Sequence, residues 1–301
     1  MQNGTNVYWT SMKLGFIGQG WIGKNLADHY AERGFTCVRY ALTPEFEKNK
    51  FAIAECDIVF IAVPTPTLPE GFDDSVLRSV MSLVGKGKIA VIKSTVLPGT
   101  TASIQRESPD IMVFHTPEFP REVSVKHDID YPDRNIVGIP DDFIDDAEYQ
   151  KAARQIMEVL PPSPFESVCK ASEAELTKYG GNNFLYTKVV FMNVLYDMAN
   201  ALGARYDVVA GNMRADPRIG FSHMQPVHQY DHMQTTQSGR GAGGHCFIKD
   251  FAAFRELYEK TLPKDEEGIT LLRAFEAKNN KLLKKTRKDL DLLEGVYGKV
   301  A

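Results

Sequence analysis

Cysteine is scarce. The 301 residues contain four, Cys37, Cys56, Cys169 and Cys246, and none forms a C-x-x-C pair. This usage excludes a disulfide scaffold and a cysteine-based zinc site, and it fits a reducing, cytoplasmic setting. Cys37 and Cys56 lie in apolar, strand-like runs, where a thiol packs as a small hydrophobe. There is no excess of basic charge either: 35 Lys+Arg and 39 Asp+Glu leave a net charge of −4, which gives no footprint for nucleic acid. No apolar run approaches the roughly 18 residues a membrane span requires. Met1–Ser11 lack a basic start followed by an apolar stretch, so they do not read as a secretory signal and are expected to be a disordered extension. What is present, 43% hydrophobic and 25% charged residues, is the balance of a globular chain with room for about two domains.

The first half alternates short apolar runs with amphipathic stretches, the pattern of a parallel α/β sheet. Strands are predicted at Lys13–Ile17, Thr36–Tyr40, Asp57–Ala62, Ile89–Ile92, Ile111–Phe114 and Asn135–Ile139, with a last one at Phe165–Val168. Helices are predicted between them at Gly23–Arg33, Ser75–Leu83, Thr100–Glu107 and Asp142–Leu160. From Ala171 the pattern becomes helical. One long helix is expected over Ser172–Leu202, others over Asp207–Asn212, Phe251–Glu259 and Glu266–Leu293, with a loop from Phe221 to Gly244. The expected organisation is therefore an α/β domain over 12–168 and an all-helical domain over 169–301 with a long central helix.

Gly18-Gln19-Gly20-Trp21-Ile22-Gly23 is a G-x-G-x-x-G sequence placed directly after a strand and opening a helix. The first glycine permits the tight turn and the second lets the backbone approach a pyrophosphate. The third permits close strand–helix packing, and the helix N-terminus attracts the negative charge. This reads as a Rossmann-like dinucleotide site. The acid that commonly ends the second strand and binds the adenosine ribose is missing from Thr36–Thr43, while Arg39 keeps NADP open beside NAD.

Further segments, read together, resemble the nucleotide-sugar dehydrogenases, the family of UDP-glucose 6-dehydrogenase. Ala62-Val63-Pro64-Thr65-Pro66 is similar to the family's loop beside the cofactor. Lys93-Ser94-Thr95-Val96 resembles its K-S-T-V turn, and Thr116-Pro117-Glu118-Phe119-Pro120-Arg121-Glu122 its N-P-E-F-x-x-E segment. Lys178 and Asn182 fit its K-x-x-x-N helix, and Asp216-Pro217-Arg218-Ile219-Gly220 its D-x-R-I-G turn. Gly243-Gly244-His245-Cys246-Phe247-Ile248-Lys249-Asp250 matches its G-G-x-C-x-x-K-D nucleophile motif. The match is collinear from about residue 13 to 290.

The resemblance implies oxidation of a primary alcohol to a carboxylate, with two hydrides passed to two NAD molecules and a UDP-sugar as the small-molecule substrate. Cys246 is then the nucleophile that captures the aldehyde and becomes a thioester, with Lys249 favouring its thiolate. Lys178 and Asn182, four apart on a helix, share one face and would stabilise alkoxide and oxyanion states. Asp250 would position or deprotonate a water, Glu118 would be the base for thioester hydrolysis, and Thr95 would face nicotinamide and substrate. Cofactor binding is expected at the glycine loop, Val63, Pro64, Thr65, Thr95, Glu122 and Lys249. Substrate binding is expected at Phe119, Arg121, Lys178, Asn182, Arg218, Gly243 and Gly244. A homodimer through the long helix is also implied.

Three features depart from the family's pattern. Tyr40 to Asp57 is too short for the usual extra strand. Phe221–Arg240 is longer than the corresponding loop and carries His223, His228 and His232, whose spacings of five and four define no metal site. Gly298-Lys299-Val300-Ala301 resembles the first strand of a third domain and then ends, so a short form lacking the C-terminal UDP-binding domain is expected. Lys278–Lys288 reads as a solvated helix face or as a region that meets a partner chain. Two rival functions remain at this level: a single-hydride hydroxyacid dehydrogenase, and a dinucleotide-binding subunit without turnover.

Overall fold

The computed structural model describes residues 12–232 and 235–299. The expectations for Met1–Ser11 and for Val300-Ala301 lie outside the described residues. The chain divides into two units, Met1–Thr65 with Asp73–Lys178, and Pro66–Phe72 with Tyr179–Ala301. Among the described residues no helix is long and apolar enough to cross a membrane.

The chain begins β1 (Lys13–Ile17), α1 (Trp21–Glu32), β2 (Thr36–Tyr40), α2 (Pro44–Glu47) and β3 (Ile58–Ile61). A two-residue hairpin follows, β4 (Thr67–Leu68) with β5 (Gly71–Phe72), and it belongs to the second unit. Then come α3 (Ser75–Met81), β6 (Ile89–Ile92), α4 (Thr100–Glu107), β7 (Met112–His115) and α5 (Val125–Asp130). The first unit continues with β8 (Asn135–Ile139), α6 (Ala147–Val159) and β9 (Glu166–Lys170). Its seven strands form one sheet in the order β2-β1-β3-β6-β7-β8-β9. Strands β3, β6 and β8 are buried along their whole length, as apolar strands covered on both faces must be, whereas the edge strand β9 alternates. Phe16, Tyr30 and Phe60 stack at the centre of this core, with ring centroids 5.3–5.6 Å apart.

Two differences from the expected first domain have local causes. The sheet is not wholly parallel: β8 runs antiparallel to β7, pairing Gly138 with His115. An antiparallel neighbour needs no crossover, so residues 116–134 stay at the carboxyl end of β7, the end at which open α/β sheets bind ligands. The helix expected from Asp142 begins at Ala147, because the Asp146 carboxylate caps it by accepting from Glu148 N at 2.9 Å and Tyr149 N at 3.1 Å. The residues between Tyr40 and Asp57 form α2 and a 3-10 turn, Lys50–Glu55, rather than a strand.

The long helix is α7 (Ala171–Ala201), followed by α8 (Tyr206–Arg214). The segment read as a loop contains an antiparallel hairpin, β10 (Val227–His232) with β11 (Thr235–Arg240), so the second unit is helical with two small hairpins. Helix α9 (Gly244–Thr261) starts seven residues before the expected Phe251. The single helix expected over Glu266–Leu293 is two, α10 (Glu266–Thr286) and α11 (Leu290–Tyr297), broken where Arg287 and Asp289 adopt the left-handed conformation at φ 57° and 52°. Lys288, between them, is buried rather than part of a solvated face.

Candidate active site

In the first unit the glycine loop follows β1 directly. Gly18 has φ 90°, and a Cβ there would lie 2.2 Å from the Ala62 carbonyl oxygen; one on Gly23 would lie 1.9 Å from the Gly18 oxygen. Those two glycines are required by packing inside the protein. At Gly20 a Cβ would meet nothing within 4 Å, so its backbone borders open space. Gly20 caps α1 without a side-chain hydrogen bond, and the first turn of α1 holds no acid. The N–H groups of that turn have no intrahelical acceptor and form a cradle for an anion. The loop from Gly18 through Gln19, Trp21 and Ile22 to Gly23 therefore fits a dinucleotide pyrophosphate. Beside it, Arg39 donates to Asp28 on α1 at 2.6 Å, so its charge is already matched within the unit.

The turns after β3 and β6 are stitched together. Val63 N donates to Ser94 Oγ at 3.0 Å, Ser94 Oγ donates to the Val63 carbonyl at 2.7 Å, and Thr65 Oγ1 donates to the Thr95 carbonyl at 2.7 Å. Val63 and Thr65 are thereby locked to the K-S-T-V turn, Pro64 between them is exposed, and Thr95 is left half-buried. Lys93, whose role the sequence did not disclose, is buried in an ion pair with Glu118 at 2.5 Å. Glu118 is thus held against an ammonium at the carboxyl end of the sheet. His115, at the end of β7, is fully buried, and burial together with Lys93 and Lys178 pushes its imidazole down to about 3.

Phe119 carries two cations: the Arg134 guanidinium lies 3.8 Å from its ring centroid and the Lys178 ammonium 5.3 Å. Arg121 forks the Asp128 carboxylate, with Nε to Oδ2 at 2.9 Å and Nη2 to Oδ1 at 2.6 Å. The backbone of Glu122 opens a 3-10 turn, Glu122–Ser124, and its side chain lies outside the description. Glu175, three residues before Lys178, accepts from Gly99 N at 2.6 Å, Thr101 N at 2.8 Å and Thr101 Oγ1 at 2.6 Å. It caps α4 from a distance and ties α7 to the segment that leaves the K-S-T-V turn.

In the second unit Cys246 is exposed in the first turn of α9, a helix end with no acid in that turn. One turn on, Asp250 is 1% exposed and its carboxylate is clamped from both sides. Lys249 Nζ donates to Oδ1 at 2.6 Å and Asn182 Nδ2 to Oδ2 at 2.6 Å. Gly243 and Gly244 precede Cys246, and Gly244 takes φ 77°. A Cβ on Gly243 would lie 1.9 Å from Asp289 Oδ2. Arg218 folds back on Asp216, with Nη2 to Oδ2 at 2.6 Å. His223 stacks edge-on against Phe247, and burial with neighbouring Lys288 and His223 pushes His228 down to about 4. The side chain of His232 lies outside the description.

An α/β unit whose glycine loop fits a dinucleotide, followed by a helical unit that exposes a cysteine one turn before an Asn–Asp–Lys cluster, has the architecture of the two-unit, NAD-binding dehydrogenases. The chain belongs to the UDP-glucose/GDP-mannose dehydrogenase family, whose NAD binding domain matches residues 37–156 and whose central domain matches residues 172–281. The UDP-glucose 6-dehydrogenase YwqF of Bacillus subtilis is 30% identical over 263 residues, covering 82% of this chain and 54% of that protein. The chain spans about half the length of the curated relatives it matches. The solved structure of a UDP-glucose dehydrogenase from Pyrobaculum islandicum superposes with a TM-score of 0.76 at 26% identity, covering 97% of this chain and 72% of that one. A 3-hydroxyisobutyrate dehydrogenase from Mycobacterium tuberculosis shares the fold, with a TM-score of 0.69 at 14% identity, covering 95% and 98%.

Proposed function

We propose that this chain oxidises the primary alcohol of a UDP-glucose-like nucleotide sugar to a carboxylate, through two hydride transfers and a thioester on Cys246. The observation that carries the reading is the contrast among the four cysteines. Burial pushes the thiols of Cys37, Cys56 and Cys169 up to about 11, which keeps them inert, whereas Cys246 stands exposed at a helix N-terminus inside the family's motif.

The glycine loop Gly18–Gly23 would hold NAD, which would supply the hydride acceptor for each oxidation. The chain's own groups do the rest. As the alcohol becomes an aldehyde, its hydroxyl proton passes to a base or water, and Lys178 and the Asn182 amide stabilise the alkoxide. The Cys246 thiolate then adds to the aldehyde carbon, forming a C–S bond and a tetrahedral alkoxide on that carbon. Loss of its C–H as hydride leaves the thioester. Glu118 takes a proton from water, the water oxygen bonds to the carbonyl carbon, and the C–S bond breaks to return the thiolate and release the acid. Asp250 keeps Asn182 and Lys249 in place and has lone pairs left for the hydrolytic water. Phe119, Arg121, Arg218 and the Gly243-Gly244 backbone serve the substrate, and Val63, Pro64, Thr65, Thr95, Glu122 and Lys249 serve the cofactor. Because Arg39 is engaged by Asp28, NAD is preferred to NADP.

A homodimer through α7 is part of the same reading. Phe184, Phe191, Val194 and Met198 are all exposed, and their spacings of seven, three and four place them on one face of the helix, with exposed Leu202 just past its end.

The test is the Cys246→Ser variant assayed with UDP-glucose and NAD. Acid formation is expected to fall by at least about a thousandfold while NAD affinity stays unchanged. Acid production at the parental rate would exclude the thioester.

A further inference from the structure

The backbone that leads into Cys246 is held, group by group, by side chains from the far end of the second unit. Arg240 N donates to Thr286 Oγ1 at 3.0 Å. The Gly241 carbonyl accepts from Lys288 Nζ at 3.0 Å. Ala242 N donates to Asn279 Oδ1 at 2.7 Å and its carbonyl accepts from Asn279 Nδ2 at 2.9 Å. Gly244 N, the first amide of α9, donates to Asp289 Oδ2 at 2.7 Å. Lys288 and Asp289 sit in the break between α10 and α11, and both are more than nine-tenths buried. Burial lowers the Lys288 ammonium below its ordinary range, with Asp289 opposing that shift.

This turn is expensive to build. Two non-glycine residues, Arg287 and Asp289, are in the left-handed region, and a lysine is desolvated between them. Such features persist where the surrounding structure over-determines them, and here the Lys288 ammonium and the Asp289 carboxylate bond the glycine segment five and two residues before the exposed cysteine. The fit is close on the other side too: a Cβ at Gly243 would lie 1.9 Å from Asp289 Oδ2 and 2.9 Å from Lys288 Cε.

We propose that Lys288 and Asp289 are positioning residues for Cys246: Asp289 is a remote N-cap that keeps the first turn of α9 formed, and Lys288 fixes the glycine segment entering it. Neither residue touches the reacting atoms. Asp289 replaces the side-chain cap that Gly243 cannot supply, so the cysteine is presented from a formed helix turn instead of a frayed one. The proposal rests on Cys246 being the reactive thiol, and its functional consequence rests on the thioester reading.

The test is the alkylation rate of Cys246 by iodoacetamide across pH 6–9, followed by mass spectrometry of the modified peptide, on the full chain. In Asp289→Ala the rate profile is expected to change by roughly tenfold, the scale of losing one buried hydrogen bond, with NAD binding unchanged. Asp289→Asn keeps an oxygen acceptor for Gly244 N and is expected to restore the profile to within about twofold. Lys288→Met keeps the packed stem and loses the bond to Gly241, and it is expected to shift the profile in the same direction by less. Gly243→Ala forces Asp289 aside, so its effect and that of Asp289→Ala are expected to be strongly non-additive in the double variant. A parental profile in Asp289→Ala, or additive effects in the double variant, would overturn the proposal. If Asp289→Ala fails to fold, Asp289→Asn, Lys288→Met and Gly243→Ala decide the matter alone. Alkylation needs no turnover, so a Cys246→Ser enzyme that still made acid would remove the thioester chemistry and leave this result standing.

Discussion

Glu175 gives the first unit a pH dependence that its surface carboxylates do not. Burial pushes its carboxyl up to about 7 from 4.5, against the pull of the Thr101 and Gly99 donors, and Asp141 adds to the rise. The folded state therefore holds a proton over pH 4.5–7 that the unfolded chain has released. The contribution of Glu175 to stability accordingly declines as pH rises through that window, by at most on the order of 3 kcal/mol, and levels off above it, while the depressed imidazole of His115 contributes in the opposite sense. Glu175→Gln removes the titration, so urea midpoints measured from pH 5 to 8 are expected to lose this slope. A slope identical to the parent's would refute the assignment. The role of Glu175 is not legible in the sequence, although the residue lies in the motif segment three positions before Lys178, because its partners lie on another element. The same holds for Lys93 opposite Glu118 and for Asp289 beneath Gly244. Motif residues such as Cys246 and Gly18 announce themselves by local spacing, whereas the groups that hold them in place are set by the fold.

Among the elements, α9 shows most clearly what local pattern omits. The sequence pattern ends a loop at Gly244 and predicts the helix over Phe251–Glu259. The helix begins at Gly244 because a carboxylate distant in sequence supplies the cap. The α10–α11 break is the converse case, a helix interrupted at Arg287–Asp289 without glycine or proline. Hairpin β10–β11 escaped because its polar strands, His-Gln-Tyr and Thr-Gln-Ser among them, lack apolar alternation. The central strands and α7 were legible, since buried apolar runs and a long helical period are local signals. At this scale α7 makes its own prediction. Phe191→Lys places a charge in the exposed apolar stripe, and sedimentation is expected to give a dimer for the parent and a monomer for the variant. A parental dimer that survives the change would rule out this face.

At the scale of the molecule, the chain pairs the family's NAD binding and central domains over about half the length of its curated relatives. The fold is shared with a 3-hydroxyisobutyrate dehydrogenase, so architecture alone does not choose between one hydride and two. The choice rests on the cysteine. An exposed thiol preceded by two glycines offers an aldehyde a covalent handle, through which oxidation can proceed to the acid. The direct measurement is the number of NADH molecules formed per molecule of UDP-glucose consumed by the purified chain, with the product identified by mass spectrometry. The account predicts two NADH and a uronic acid. One NADH with a carbonyl product would contradict it.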